Sequence, residues 1–571
     1  MNYQQPHVAG AESQPNHVSQ STTGQFEPTV VNGGEAETQS PALVTKVSYW
    51  SLPNKGQLAL MCVARMADPL AATSIQTYMY FQLRFFDPSA SAATISTQAG
   101  VIIGAKTAAQ VCTGMLWGRL ADSEFGGRKT VLMIGLLSSV IACVGYGFST
   151  TFLSAVLWQV FGGAMSSNVG ITRCVVAELN PEKRYRTRAL LLLPLFASAG
   201  MLIGPLVGGF LSFNPGDGPL KAYPYALPNV FAGTIYAVAA LGVFFGVQET
   251  LEGFHHEGSY ARLLWRKIRS LKLRSPSEAH AYSSVSTSER DECLYPIEGM
   301  SSPQSSASLS PVKLKPKSKR KLPFLRIWTP NVLCTMLAHF IISGHLATFT
   351  NLWAIFLSTP AGNPENQRPP FRFNGGAGMH PRQVGVAMSC LGAIGVILQM
   401  LIYPRLNDRW GTVQIWRKAL FVFPIVYVLA PFLSLVASAE INEGKTVLVW
   451  LAMGFILLLF VAGRTGVTPA TTLLINDCTP HPSVRGTIHT AGTTIGNISR
   501  SFFPVIAFVI FGKGLNIGIV GLGFWCVAGL SVLACVASFW VREGSNGQDI
   551  VLEEEEEEEP EQDATLTNQP K

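Results

Sequence analysis

The chain has 571 residues, of which 48% are hydrophobic and only 13% charged, where a soluble protein carries roughly 25% charge. That shortage excludes a water-solvated globular body and points to lipid as the solvent. The ten cysteines are scattered, mostly within apolar runs and without paired metal-ligand or redox spacing, and read as small packing residues.

Met1 to Lys55 is polar, rich in Ser, Gln and Thr, and carries no short basic and apolar leader, so the first span is expected to direct insertion. A spanning helix needs about 20 apolar residues, because the hydrocarbon core is ~30 Å thick and offers the backbone no water. About twelve segments meet that length. The first six run Gly56 to Gln82, Thr94 to Trp117, Thr130 to Gly147, Thr151 to Val176, Ala189 to Leu211 and Leu227 to Val247. Thr250 to Arg326 is Ser-rich and ends in Lys313, Lys315, Lys317, Lys319, Arg320 and Lys321, which reads as a disordered cytoplasmic linker. Its basic end can lie against anionic headgroups or simply be solvated. Six more spans follow: Val332 to Leu357, Val384 to Leu406, Ile415 to Val436, Val447 to Leu474, Thr487 to Phe511 and Ile517 to Trp540. Beyond Trp540 the chain turns acidic, with glutamate throughout Glu553 to Glu559, as a solvated tail does.

The expected organisation is a cytoplasmic tail (1–55), a six-helix bundle (56–249), a linker (250–327), a second six-helix bundle (328–541) and an acidic cytoplasmic tail (542–571). Basic residues flanking spans favour the cytoplasm. Arg119, Arg128 and Lys129 follow span 2, Lys183, Arg184, Arg186 and Arg188 follow span 4, and Arg405, Arg409, Arg417 and Lys418 follow span 8. The intervening loops are poorer, apart from Arg368, Arg372 and Arg382 after span 7. Both termini are therefore expected in the cytoplasm.

An ionisable side chain in mid-span costs about 2.5 to 3.5 kcal/mol on insertion scales and is a functional candidate by default. Asp68 in span 1 and Lys106 in span 2 both sit roughly 18 Å deep at 1.5 Å per residue, so they can pair, with Arg65 one turn below Asp68. Two readings stay open: protonation of Asp68 breaks the cluster and switches the half, or the pair is a permanent buried ion pair. His345, in the first span of the second half, suits a proton or substrate ligand, although a lone helix histidine is more often structural. Arg464 and Arg500 can meet anionic substrate groups or balance helix dipoles, Arg173 can snorkel to the interface, and Glu178 and Glu249 are expected to be solvated. Asn497-Ile498-Ser499 fits the glycosylation pattern but falls inside a span.

Between spans 2 and 3 stands Gly118-Arg119-Leu120-Ala121-Asp122-Ser123-Glu124-Phe125-Gly126-Gly127-Arg128-Lys129, and Arg405-Leu406-Asn407-Asp408-Arg409-Trp410-Gly411 echoes it after span 8. Such an echo suggests duplication, and parallel six-helix repeats around a midplane site are the architecture of major facilitator transporters. The first loop resembles the cytoplasmic signature of that superfamily, with two residues inserted and Ser123 in place of its first basic residue. The resemblance implies that Asp122, Arg128, Lys129, Asp408 and Arg409 form a conformational latch. Span 5 contains Gly200-Met201-Leu202-Ile203-Gly204-Pro205-Leu206-Val207-Gly208-Gly209, which resembles the pattern of its drug:proton antiporters. Glycines four apart permit close helix approach and Pro205 favours a bend. Arg65 to Leu70, Asn168, His345, Gln399 to Leu406, Arg485 to His489 and Arg500 together look like fungal relatives of the zinc-induced facilitator group. Gln159 stands where many antiporters carry an arginine.

The resemblance implies an all-α membrane protein of major facilitator fold that exports a small organic molecule against protons: a drug, a toxin, a secondary metabolite or a metal chelator. The alternatives are a proton-coupled or facilitated importer of a nutrient or metal chelator, and a non-transporting sensor. Enzymatic activity and ATP-driven transport are disfavoured by the lack of a phosphate-binding Gly-Lys-Ser/Thr loop, a metal-ligand cluster or a nucleophile elbow. The expected partners are a small-molecule substrate, protons and the lipid bilayer, with no cofactor, metal or nucleic acid. A monomer is expected, in the plasma membrane rather than the vacuolar membrane.

Overall fold

A computed structural model describes residues 51–123, 126–166, 168–214, 216, 220–250, 324–443, 446–480, 484–542 and 544. Nearly all of the expected linker and both tails lie outside these residues. The described chain is helical, with only isolated β-bridges, and eleven of its helices are long and apolar enough to cross a membrane. The first half holds α1 (Lys55–Phe86), α2 (Ala92–Ala121), α3 (Arg128–Gly147), α4 (Phe152–Met165), α5 (Asn168–Leu179), α6 (Lys183–Phe210) and α7 (Ala226–Gly246). The second holds α8 (Pro330–Ser358), α9 (Pro381–Leu401), α10 (Tyr403–Trp410), α11 (Thr412–Leu420), α12 (Val422–Leu429), α13 (Leu433–Glu443), α14 (Thr446–Asp477), α15 (Arg485–Ile517) and α16 (Gly521–Ser538).

Two expected spans are interrupted and a third carries a 3₁₀ turn. The fourth is not one helix: it stops at Met165, and Ser166 is extended before α5 begins. The freed carbonyl of Ala164 accepts hydrogen bonds from Thr113 Oγ1 and Trp117 Nε1 of α2, both at 2.7 Å, so side chains supply what a continuous helix would have supplied. The ninth runs as one apolar span over Thr412–Ala439, with a 3₁₀ turn at Ala430–Phe432 where Pro431 lacks the N–H for an α-helical bond. The eighth ends at Leu401 and resumes as the short α10.

The echoed loops fold alike. Gly127 and Gly411 both precede a helix with positive φ, 73° and 74°, a conformation glycine adopts without strain. In the first half, Lys129 Nζ donates to the carbonyls of Phe244 and Val247 at the end of α7, at 2.8 and 2.7 Å. In the second, Arg417 donates to Ser538 and Val541 at the end of α16, at 3.2 and 2.8 Å. Each half thus ties a cation to the C-terminal carbonyls of its last long helix, where the helix dipole favours positive charge.

The glycines of α6 let it pack closely on α1 within the first half and on α9 of the second. A Cβ at Gly200, Gly204 or Gly208 would collide with backbone carbonyls of Met66, Leu70 and Ser74 on α1. Gly209 faces α9, where a Cβ would stand 2.7 Å from the Pro381 oxygen, and a Cβ on Gly385 of α9 would stand 2.5 Å from that of Pro205. Backbone-to-backbone packing of this kind replaces hydrophobic driving force inside lipid.

The two ends of the molecule differ. At the end carrying Asp87, one hydrophobic cluster runs through both halves, from Ile75, Tyr78 and Ile95 to Phe349, Phe356 and Phe511. Hydrogen bonds cross there from Gln76 Nε2 to Asn351 Oδ1 at 2.7 Å, from Ser96 Oγ to the Phe508 carbonyl at 3.0 Å and from Ser389 Oγ to the Leu202 carbonyl at 2.9 Å. The segment between α8 and α9 folds over this end, with Phe373 buried against Phe432 and Trp525. At the opposite end, carrying Asp122, each half keeps its own cluster: one includes Met61, Leu132 and Val176, the other Met336, Cys478 and Ile488. The described structure is closed at the Asp87 end and separated at the Asp122 end.

Replacing Gly204 by Ala should therefore lower stability by about 1–3 kcal/mol through overpacking. The same change at Gly529, which has nothing within 4 Å of a built Cβ, should be neutral. Thermal unfolding of the purified variants measures both.

Candidate functional site

Asp68, thirteen residues into α1, does not pair with Lys106 as its depth suggested. Among the described residues no ion pair joins them. Instead Asp68 Oδ1 accepts a hydrogen bond from Tyr236 Oη of α7 at 2.7 Å and a longer one from Asn168 Nδ2 of α5 at 3.4 Å. Its Oδ2 is buried and accepts no hydrogen bond. Depth along a helix says nothing about rotation around it, and each residue turns the side chain by about 100°. Rotation directs Asp68 toward α5 and α7, whereas α2 packs against α4 so closely that a Cβ on Gly163 would collide with the Lys106 backbone. The break after α4 matters here, because it is Asn168 at the start of α5 that reaches Asp68.

Arg65 lies within electrostatic reach of Asp68, Tyr236 and Arg173. Arg500 of α15 interacts in turn with Arg464, Arg173 and His339. Arg464 of α14 leans across to the first half, where its Nη2 is 3.5 Å from Met201 Sδ on α6. Asp68 and Arg65 thus sit among groups of the first half, whereas Arg464 reaches the first half from the second, and Arg500 and Arg173 lie within electrostatic reach of each other across the two halves.

His345 is elsewhere. It is fully buried, with Nδ1 2.9 Å from Tyr427 Oη and its ring 5.1 Å from that of Phe423. Phe349, Tyr427 and Phe460 continue the same aromatic core. Nothing in the sequence links His345 to Tyr427, 82 residues away.

The charged loop at the Asp122 end is a network inside the first half. Arg128 Nη1 is 2.7 Å from Asp122 Oδ1, and Arg128 Nε donates to Glu178 Oε1 at 2.9 Å. The two residues inserted into the loop leave this pairing intact. Glu249 accepts the backbone N–H groups of Arg128 and Lys129 through its two oxygens, at 2.9 and 3.0 Å; a carboxylate at a helix N-terminus satisfies orphan donors and complements the dipole. Glu178 and Glu249, expected to be solvated, are structural members of this cluster. In the second copy Arg409 is exposed, and the side chain of Asp408 lies outside the described residues.

A conservative replacement separates the roles of His345: His345→Phe leaves the buried Tyr427 hydroxyl unpaired and should lower stability by about 1–3 kcal/mol. It should leave the pH dependence of transport unchanged, which flux measured across a range of pH checks.

These features agree with known proteins. The chain is 27% identical over 529 residues to a multidrug transporter of Aspergillus fumigatus, covering 88% of this chain and 85% of the relative. It is 26% identical over 491 residues to an efflux pump of Aspergillus niger, covering 85% and 87%. In three dimensions it resembles a D-xylose–proton symporter with a TM-score of 0.57 at 13% identity, over 86% of this chain and 98% of the other. The family model described as Major Facilitator Superfamily matches residues 59–504, and with two helical halves meeting around a charged interior, the chain belongs to that superfamily of membrane transporters.

Proposed function

We propose that the chain is a proton-coupled exporter of a small organic molecule, working by alternating access, with Asp68 as the group that takes the coupling proton. The observation that carries this reading is the buried Oδ2 of Asp68, which accepts no hydrogen bond and lies near Arg65 within the first half. Its other oxygen is held by Tyr236 and Asn168, so the bare oxygen is where a proton can land without breaking an existing bond. Neutral, Asp68 no longer attracts Arg65, and the balance of charge inside the first half changes.

With both termini in the cytoplasm, the separated Asp122 end faces the cytoplasm and substrate enters there. Outward opening then requires breaking the contacts of Gln76, Ser96 and Ser389 across the Asp87 end. The close contacts of α6 on α1 and α9 suit rigid halves rocking about a fixed seam. Arg128, Asp122, Glu178, Glu249 and Lys129 brace the cytoplasmic end of the first half through that movement. Residence in the plasma membrane as a monomer, with 56–249 and 328–541 as the two bundles joined by 250–327, completes the reading. The names of the two Aspergillus relatives, a multidrug transporter and an efflux pump, favour export over uptake.

The test is flux in proteoliposomes with an imposed pH gradient. Export should accelerate when the external face is the more acidic, and Asp68→Asn should reduce that gradient-driven component by about a hundredfold, the low end of what losing a positioned proton-transfer group costs. Undiminished gradient-driven flux in Asp68→Asn removes Asp68 from the coupling role. Substrate that follows protons in the same direction makes the protein a symporter.

A further inference from the structure

The spanning helices carry an unbalanced charge. Arg65, Lys106, Arg173, Arg464 and Arg500 stand within them, and among the described residues of those same helices Asp68 is the mid-helix carboxylate. Asp68 already spends one oxygen on Tyr236 and Asn168. The other acidic groups of the neighbouring helices, Glu178 and Asp477, stand at helix ends, and Glu178 is paired with Arg128.

The arginines are also gathered. Arg500 acts on Arg464 within the second half and on Arg173 across the divide, and Arg173 acts on Arg65. Helices α1, α5, α14 and α15 therefore contribute guanidinium groups to one region. Arg464 reaches a methionine sulfur rather than a carboxylate, and Arg173, Arg464 and Arg500 form no ion pair among the described residues. Arg173 and Arg500 are exposed rather than packed away. Like charges gathered in one place repel, and an anion bound among them neutralises that repulsion. Guanidinium, a planar fork that grips carboxylate or phosphate through two parallel hydrogen bonds, is the residue type such recognition uses.

We propose that the transported molecule is an organic anion, its carboxylate, phosphate or sulfonate group held between the halves by Arg173, Arg464 and Arg500. This deepens the transporter reading above and rests on the space between the halves being the transport site. Because the cations come from both halves, an anion between Arg173 and Arg464 also bridges them and draws the Asp122 end together. A cationic or neutral molecule of the same shape gains none of these contacts and meets the uncompensated positive charge.

The experiment uses the purified full chain in a neutral detergent and an isosteric trio: benzoate, benzamide and benzylammonium, then the corresponding naphthalene compounds, at constant ionic strength. The carboxylates should raise the melting temperature and their amide and ammonium counterparts should not. Arg464→Gln and Arg500→Gln should each weaken the apparent carboxylate affinity by roughly tenfold or more, the loss expected for a charge-assisted contact, while Arg500→Lys keeps part of it. Without ligand, the glutamine variants should melt at the same or a higher temperature, since repulsion is relieved; this separates loss of binding from loss of fold. Repeating the titration in phosphatidylcholine and in phosphatidylglycerol vesicles distinguishes a solute site from a lipid headgroup site. The proposal is overturned if no carboxylate stabilises the protein, if amide or ammonium stabilises it equally, if the glutamine variants respond fully, or if phosphatidylglycerol alone abolishes the response. Selective carboxylate binding combined with inward flux would defeat the export reading alone, and acid-driven export of the cationic dye rhodamine 6G without carboxylate binding would defeat this proposal alone.

Discussion

Inside a bilayer neither a backbone amide nor a charged side chain can turn to water, and most of this structure follows from that constraint. Where span 4 breaks, the carbonyl it frees is taken by Thr113 and Trp117 of α2. The break in turn places Asn168 at the head of a new helix, from which it reaches Asp68. A defect in one helix thus becomes a ligand for a charge in another. The same constraint makes the unpaired oxygen of Asp68 and the gathered arginines the most informative features of the interior, because each is costly unless something used in transport compensates it.

The second organising feature is the difference between the two ends. A continuous apolar cluster and three side-chain hydrogen bonds join the halves at the Asp87 end, while separate clusters occupy the Asp122 end. Gly200, Gly204 and Gly208 of α6 let backbones touch within the first half, while Gly209 and Gly385 let α6 and α9 touch between the halves.

Much of the fold could be read from the residues alone. The apolar runs located the long helices, because a hydrocarbon slab demands a minimum length of apolar chain whatever the tertiary arrangement. The echo between Gly127 and Gly411 pointed to duplication, and both glycines prove to hold the same positive-φ turn. The spacing of Gly200, Gly204 and Gly208 announced one close helix contact, though not that α1 would fill it or that Gly209 would face the other half. The breaks in spans 4 and 8 and the 3₁₀ turn in span 9 were not visible, since apolar composition is indifferent to whether a segment is one helix or several.

The charged residues within the spans were legible in the sequence and their pairings were not. Composition marks Asp68, Arg65, Arg464 and Arg500 as exceptional, because a charge amid apolar residues needs no structure to be noticed. Which groups meet depends on rotation about each helix axis and on which helices are neighbours: Asp68 meets Tyr236 and Asn168 rather than Lys106, His345 meets Tyr427 inside an aromatic core, and Glu249 caps α3 instead of facing water. By itself the sequence determined the membrane as solvent, the approximate places of the spans and the doubled architecture, because these depend on local hydrophobicity and repeated short motifs. The tertiary structure alone decided the partners of each buried charge and which end of the molecule is closed, because both arise from contacts between residues far apart in the chain.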